Sequence, residues 1–171
     1  MITRQNKIAV RLIAFALTLI AGISCGSGDK PFESPASGKN YTRIVSLAPN
    51  ITETLFALGL GGRVAGITRF CTYPPEALKK PRVGGFLDVN FEALAAPNPD
   101  LAILLPEHEE ARKRIAALGV QTLTVHNRVV GEILETIKAI GKTCGAETRA
   151  DSLTHDIETR MNAVRERTKG L

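Results

Sequence analysis

Short apolar runs alternate with amphipathic stretches from residue 43 onward. Residues 43–47 (RIVSL), 64–67 (VAGI), 101–105 (LAILL) and 122–125 (TLTV) are mostly apolar over four or five positions. That length suits a buried strand better than a helix. Between them the pattern changes to a helical period. A helix is predicted from Asn50 to Leu58, stopped by Gly59, with Asn50 and Glu53 spaced as a capping box. A loop holding Tyr73-Pro74-Pro75 leads to a short helix over 76–79, and Val83 reads as a brief strand before Gly84-Gly85. Asn90 is placed to cap another short helix, which ends before Pro97 and Pro99. Ala111, Ile115 and Leu118 share one helical face that Gly119 terminates, and Ile133, Leu134, Ile137 and Ile140 form the next stripe.

Apolar strands alternating with helices predict an α/β fold of Rossmann-like type, a parallel sheet with helices on both faces. Right-handed crossovers gather the loops after the strands along one edge, and ligands of such sheets bind beyond the strands' carboxyl ends. That edge collects Ala48-Pro49-Asn50, residues 68–73, Gly84-Gly85-Phe86, Pro106-Glu107-His108 and His126-Asn127. The segment 146–169 differs. Ala150, Leu153, Ile157, Met161 and Val164 make a narrow apolar stripe on a long charged helix. Such a helix either packs on the sheet like the others or runs across to another body.

The amino terminus has its own pattern. Arg4, Lys7 and Arg11 precede an uncharged apolar run over 12–23, then Gly22, Ser24 and Cys25. These are the marks of a signal peptide over 1–24, and the run is short for a transmembrane span. Small residues before a cysteine predict lipidation of Cys25, the alternatives being ordinary cleavage that leaves a soluble protein and an uncleaved anchor. Residues 26–40 (GSGDKPFESPASGKN) read as a flexible tether. The expected organisation is a signal peptide (1–24), a lipidated cysteine and tether (25–40), one α/β lobe (41–145) and a long helix (146–171).

Charge alters this picture little. The whole chain carries 22 basic and 17 acidic residues; without Arg4, Lys7 and Arg11 the balance is 19 to 17, or +2. No basic run interleaved with aromatics occurs, so nucleic-acid binding is not expected. Gly59-Leu60-Gly61-Gly62 follows a helix instead of opening one, so it reads as a turn and not as a phosphate loop. His108, among Glu107, Glu109 and Glu110, reads as part of a solvated acidic helix start, a metal-ligand role being the alternative. His126 follows a strand and could line the cleft, while His155 is expected in solvent. Ser46 and Cys71 have no activating base nearby, so no catalytic set is expected. Cys71 and Cys144 are expected as independent thiols, at least one of them buried. Phe70, Tyr73 and Phe86 fall on the cleft-edge loops, where aromatics can pack on a flat macrocycle.

SLAPNITETLFALG, CTYPPEA, GGFLDVNFEAL and NPDLAIL, in that order, resemble the substrate-binding proteins of ABC importers, class III, of the cobalamin and iron-siderophore type. The resemblance covers 43–171 and implies the amino-terminal lobe of a two-lobed protein whose lobes are joined by one rigid helix. It implies a chelate bound between lobes, with no enzymatic activity and no cofactor. Partners would be permease subunits, a small metal chelate such as cobalamin or a ferric siderophore, and the membrane through a lipid anchor. By position, Phe70, Tyr73, Phe86 and Asn50 would bind ligand, and Glu92 would dock on arginines of the permease. Thr72 and Leu105 stand where the family carries Asp and Trp, which keeps siderophore-iron and haem open beside cobalamin. The second lobe is expected to be missing here. A single-lobe interaction module without solute capture is therefore the alternative function.

Overall fold

The computed structural model describes residues 39–170; the export segment, Cys25, the tether up to residue 38 and Leu171 lie outside the described residues. The elements run β1 (Ile44–Ser46), α1 (Pro49–Ala57), β2 (Val64–Ile67), α2 (Phe91–Ala95), β3 (Leu101–Leu104), α3 (Glu109–Ala117), β4 (Gln121–Thr124), α4 (Val130–Cys144) and α5 (Glu147–Arg167). Short 3-10 turns occupy Gly61–Arg63, Pro75–Lys79 and Pro106–His108. The four strands form one sheet in the order β2-β1-β3-β4, every pair parallel. β1 lies at the centre, with Ile44 beside Val64 on one side and Leu101 on the other. The segment around Val83 extends the β2 edge: Ile67 N–H donates to Pro81 O at 3.0 Å and Val83 N–H to Ile67 O at 2.9 Å.

Alternation along the strands explains the two faces. Ile44, Leu101 and Ile103 join Ile51, Leu55, Ile137, Ile140 and Ala150 in one cluster, beneath α1, α4 and α5. Val45, Ala102 and Leu104 join Leu47, Val83, Leu94 and Ile115 in the other, beneath α2 and α3. β3 is buried at all four positions, as a strand covered on both faces should be. Each such Leu or Ile contributes about 1.5–3 kcal/mol of burial free energy.

Some expectations need correction. Asn50 does not cap α1. Ala48 is the N-cap and uses no side chain, and Pro49 fills the first turn, where its missing N–H costs nothing. Leu118 is 52% exposed, because α3 has already ended there and Val120 takes the buried place after the turn. Ile133 is 42% exposed, one turn into α4, and the buried positions of that helix begin at Thr136 and Ile137. Asn90 does cap α2: its side-chain oxygen accepts from Ala93 N–H at 3.0 Å. Helix α1 stops at Gly59, whose φ of +71° suits only glycine; a Cβ there would also overlap the Arg149 guanidinium.

The stripe on α5 fades along its length. Ala150 is 1% exposed, Leu153, Ile157 and Met161 are half-buried, and Val164 is 58% exposed. Its first turns pack on α4, where a Cβ added at Gly141 would stand 2.4 Å from Ala150 Cβ.

Candidate functional site

The carboxyl ends of all four strands point to one edge, and the loops there carry the candidate residues. Beneath them sits a small polar cluster. Ser46 Oγ donates to Ala48 O at 3.0 Å and lies 2.8 Å from Thr52 Oγ1. Thr52 Oγ1 lies 3.1 Å and Thr68 Oγ1 3.2 Å from Cys71 Sγ. Cys71 is 1% exposed, so it fastens this loop from within and offers no nucleophile. Arg82 clamps the same loop from outside, donating to Thr68 O at 3.0 Å and Cys71 O at 2.8 Å.

On that support the aromatic residues stand outward. Phe70 is 54% and Tyr73 64% exposed. Leu87, at 70%, joins them and was not anticipated from the sequence, although its place inside GGFLDVN puts it beside Phe86. Arg69 binds these loops together. Its N–H donates to Gly84 O at 2.9 Å, its guanidinium pairs with Asp88 at 2.8 Å, and the same guanidinium lies 5.2 Å from the Phe70 ring centre. The hydrogen bond from Arg69 holds the Asp88 carboxyl below its ordinary range. The sequence had not singled out this pair, which couples the Phe70 loop to the Phe86 loop.

Phe86 is half-buried, set edge-on against His108 with ring centres 4.6 Å apart at 68°. His108 is not solvated, as its acidic neighbours suggested; it is 2% exposed. Tertiary contacts decide this, because its ring turns inward while Glu107, Glu109 and Glu110 stay in water. Among the described residues no group of three or more His, Cys, Asp or Glu could hold an ion. Leu105 is buried in the core and Thr72 is exposed. His126 and His155 are exposed.

Two shallow hollows involve these loops. One, of about 370 Å³, is lined by Glu53, Phe56, Ala57, Tyr73, Pro74 and Glu76. The other, of about 180 Å³, is lined by Pro106, Glu107, His126, Asn127 and Arg128. Asn50 is half-buried in the first turn of α1 and is not a helix cap. Glu92 is exposed in the first turn of α2, just after the capping Asn90. Another hollow, of about 310 Å³, lies at the opposite edge of the sheet, where Arg63 and Arg149 donate to Cys144 O and Leu58 O and so close two helix ends. Cys71 and Cys144 are both free and both buried, as expected of independent thiols.

A doubly covered parallel sheet whose loop edge presents exposed aromatics over a buried polar cluster is the α/β lobe that the sequence pattern predicts. In agreement, the profile of the periplasmic binding protein family matches residues 44–171, and the chain belongs to that family. Its fold is the class III form, a parallel sheet flanked by helices and ending in a long helix. Among its relatives is an uncharacterised ABC transporter substrate-binding lipoprotein, YvrC, of Bacillus subtilis, 35% identical over 77% of this chain and 43% of its own length. The periplasmic vitamin B12 binding protein BtuF of Vibrio cholerae superposes with a TM-score of 0.68 at 28% identity, over 74% of this chain and 51% of the other. The periplasmic haem-binding protein RhuT of Roseiflexus gives 0.67 at 31% identity, over 72% and 49%. The chain thus spans about half the length of the curated relatives it matches. The names of these relatives describe binding proteins and not enzymes.

Proposed function

We propose that this chain belongs to an extracytoplasmic solute-binding component of an ABC importer, capturing a corrinoid or similar metal chelate and delivering it to a permease. The carrying observation is the loop edge itself: Phe70, Tyr73 and Leu87 stand exposed on loops locked by Arg69, Arg82 and a buried polar base. Aromatic faces held rigidly lose little entropy on meeting a planar ligand. The metal arrives inside its chelate, so the protein needs no ion site of its own. Haem is the second reading, supported by the likeness to RhuT. In this reading Phe70, Tyr73, Phe86 and Asn50 line the ligand, Glu92 meets basic residues of the permease, and Cys25 carries a lipid anchor. Extracytoplasmic placement is supported by the export pattern over 1–24.

The test is equilibrium dialysis of the chain against cyanocobalamin, cobinamide, haemin and a ferric hydroxamate. One of them should bind, and Phe70→Ala should weaken it about tenfold, equivalent to ~1.4 kcal/mol of ring packing. Leu118→Glu, at the far edge of the sheet, should leave Kd unchanged. Glu92→Lys should leave Kd unchanged while lowering uptake into vesicles carrying the permease. No binding of any of the four, or equal effects at Phe70 and Leu118, would sink the proposal.

A further inference from the structure

We infer that His108 is a positioning residue for the chelate face, holding the Phe86 loop across the ends of the strands through a single tautomer of its ring. Leu105 N–H donates to His108 Nδ1 at 3.1 Å. A backbone N–H can only donate, so Nδ1 is an acceptor and carries no hydrogen. The hydrogen therefore sits on Nε2, which donates to Phe86 O at 2.7 Å. One imidazole thus reads two backbone groups, at the end of β3 and on the 84–89 loop. Few side chains can do both: the ring is rigid, 2% exposed, and also packs edge-on against the Phe86 ring.

The loop it holds needs such an anchor. Its other ties include the Arg69 N–H to Gly84 O bond of 2.9 Å at its start, the Gly84–Val89 bridge, the Gly85 N–H to Asp88 O bond of 3.1 Å and the Arg69–Asp88 pair, which is solvent-exposed on both sides. An exposed ion pair contributes little, whereas a buried hydrogen bond left unmade is costly. Loss of the imidazole would strand both Leu105 N–H and Phe86 O. It would also loosen the loop that carries Phe86 and Leu87. The link to ligand rests on the reading of this edge as the chelate site; the link to the loop does not.

The experiment has two arms. Long-range proton–nitrogen NMR of the full chain at pH 7 should show His108 with hydrogen on Nε2 only. Exchange mass spectrometry should show the 84–89 peptide opening about tenfold faster in His108→Leu than in wild type. His108→Gln, whose amide can accept and donate, should restore most of the protection. In the second arm His108→Leu weakens the chelate identified by dialysis, and His108→Gln rescues it. Hydrogen on Nδ1, or exchange of that peptide in His108→Leu unchanged from wild type, overturns the positioning role. If wild type binds no chelate while the exchange result holds, the functional reading fails and the loop anchor stands. Should His108→Leu not fold, the tautomer and the Gln variant still decide.

Discussion

Cys144 closes the last turn of α4, with its carbonyl taken by Arg63. Burial pushes its thiol up to about 11; the Arg63 guanidinium pulls the other way, and the Asp100 carboxylate adds to the rise. In the unfolded chain the thiol ionises near ~8.5. Between those values the unfolded state has lost a proton that the folded state keeps, so stability falls as pH rises. The contribution is complete below pH ~8.5 and lost by about 11. Melting temperatures over that window should fall more steeply for wild type than for Cys144→Ala. Parallel slopes would show that the thiol is not responsible. Single residues were also where the sequence was least legible. Asn50 and Glu53 carry the spacing of a capping box, yet Pro49 already starts the helix. His108 sits among three acids, yet its ring partners are 22 residues upstream and three residues back, which no local pattern reveals.

Elements were more legible, for physical reasons. Strands buried on both faces must be apolar at successive positions, and β2 and β3 lie where those runs lie. Helix ends were readable where they depend on local chemistry, as at Gly59, Asn90 and Gly119. Periodicity reveals where a stripe is and not what covers it, which is why Leu118 and Ile133 were placed on buried faces and stand in solvent. The pairing of α4 with α5 rests on a contact that periodicity also hides. Gly141 lets the helices approach so closely that any side chain would meet Ala150. Gly141→Val should therefore cost about 1–3 kcal/mol through overpacking. Gly131, in the same helix with open space around it, is the control: Gly131→Ala should stabilise by about 0.5–1 kcal/mol. Denaturant midpoints check both, and equal shifts would show that the helices do not meet there.

At the scale of the whole molecule, the polarity of the sheet was legible and the site's finish was not. The order of strands and helices alone sends all the candidate loops to one edge, because parallel strands share a direction. The exposure of Phe70 and Tyr73 follows from that placement. The Arg69–Asp88 tie and the inward turn of His108 depend on loops packing on one another, which requires the fold to exist first.

The fading stripe of α5 carries a consequence for how this molecule opens. Its first turns are held by α4, but after the half-buried Met161 the described residues show only the helix's own backbone bonds and exposed local contacts such as Lys169–Glu166. A helix without tertiary cover is marginal in water. Amide protection should therefore decline as a ramp from Ala150 toward Arg167, the near end opening only with global unfolding and the far end by fraying. Residue-resolved hydrogen exchange measures that ramp, and a flat profile would mean that something outside the described lobe already covers the far turns. With such a ramp, the melting of the sheet and the unwinding of its last helix are two separate events in one chain.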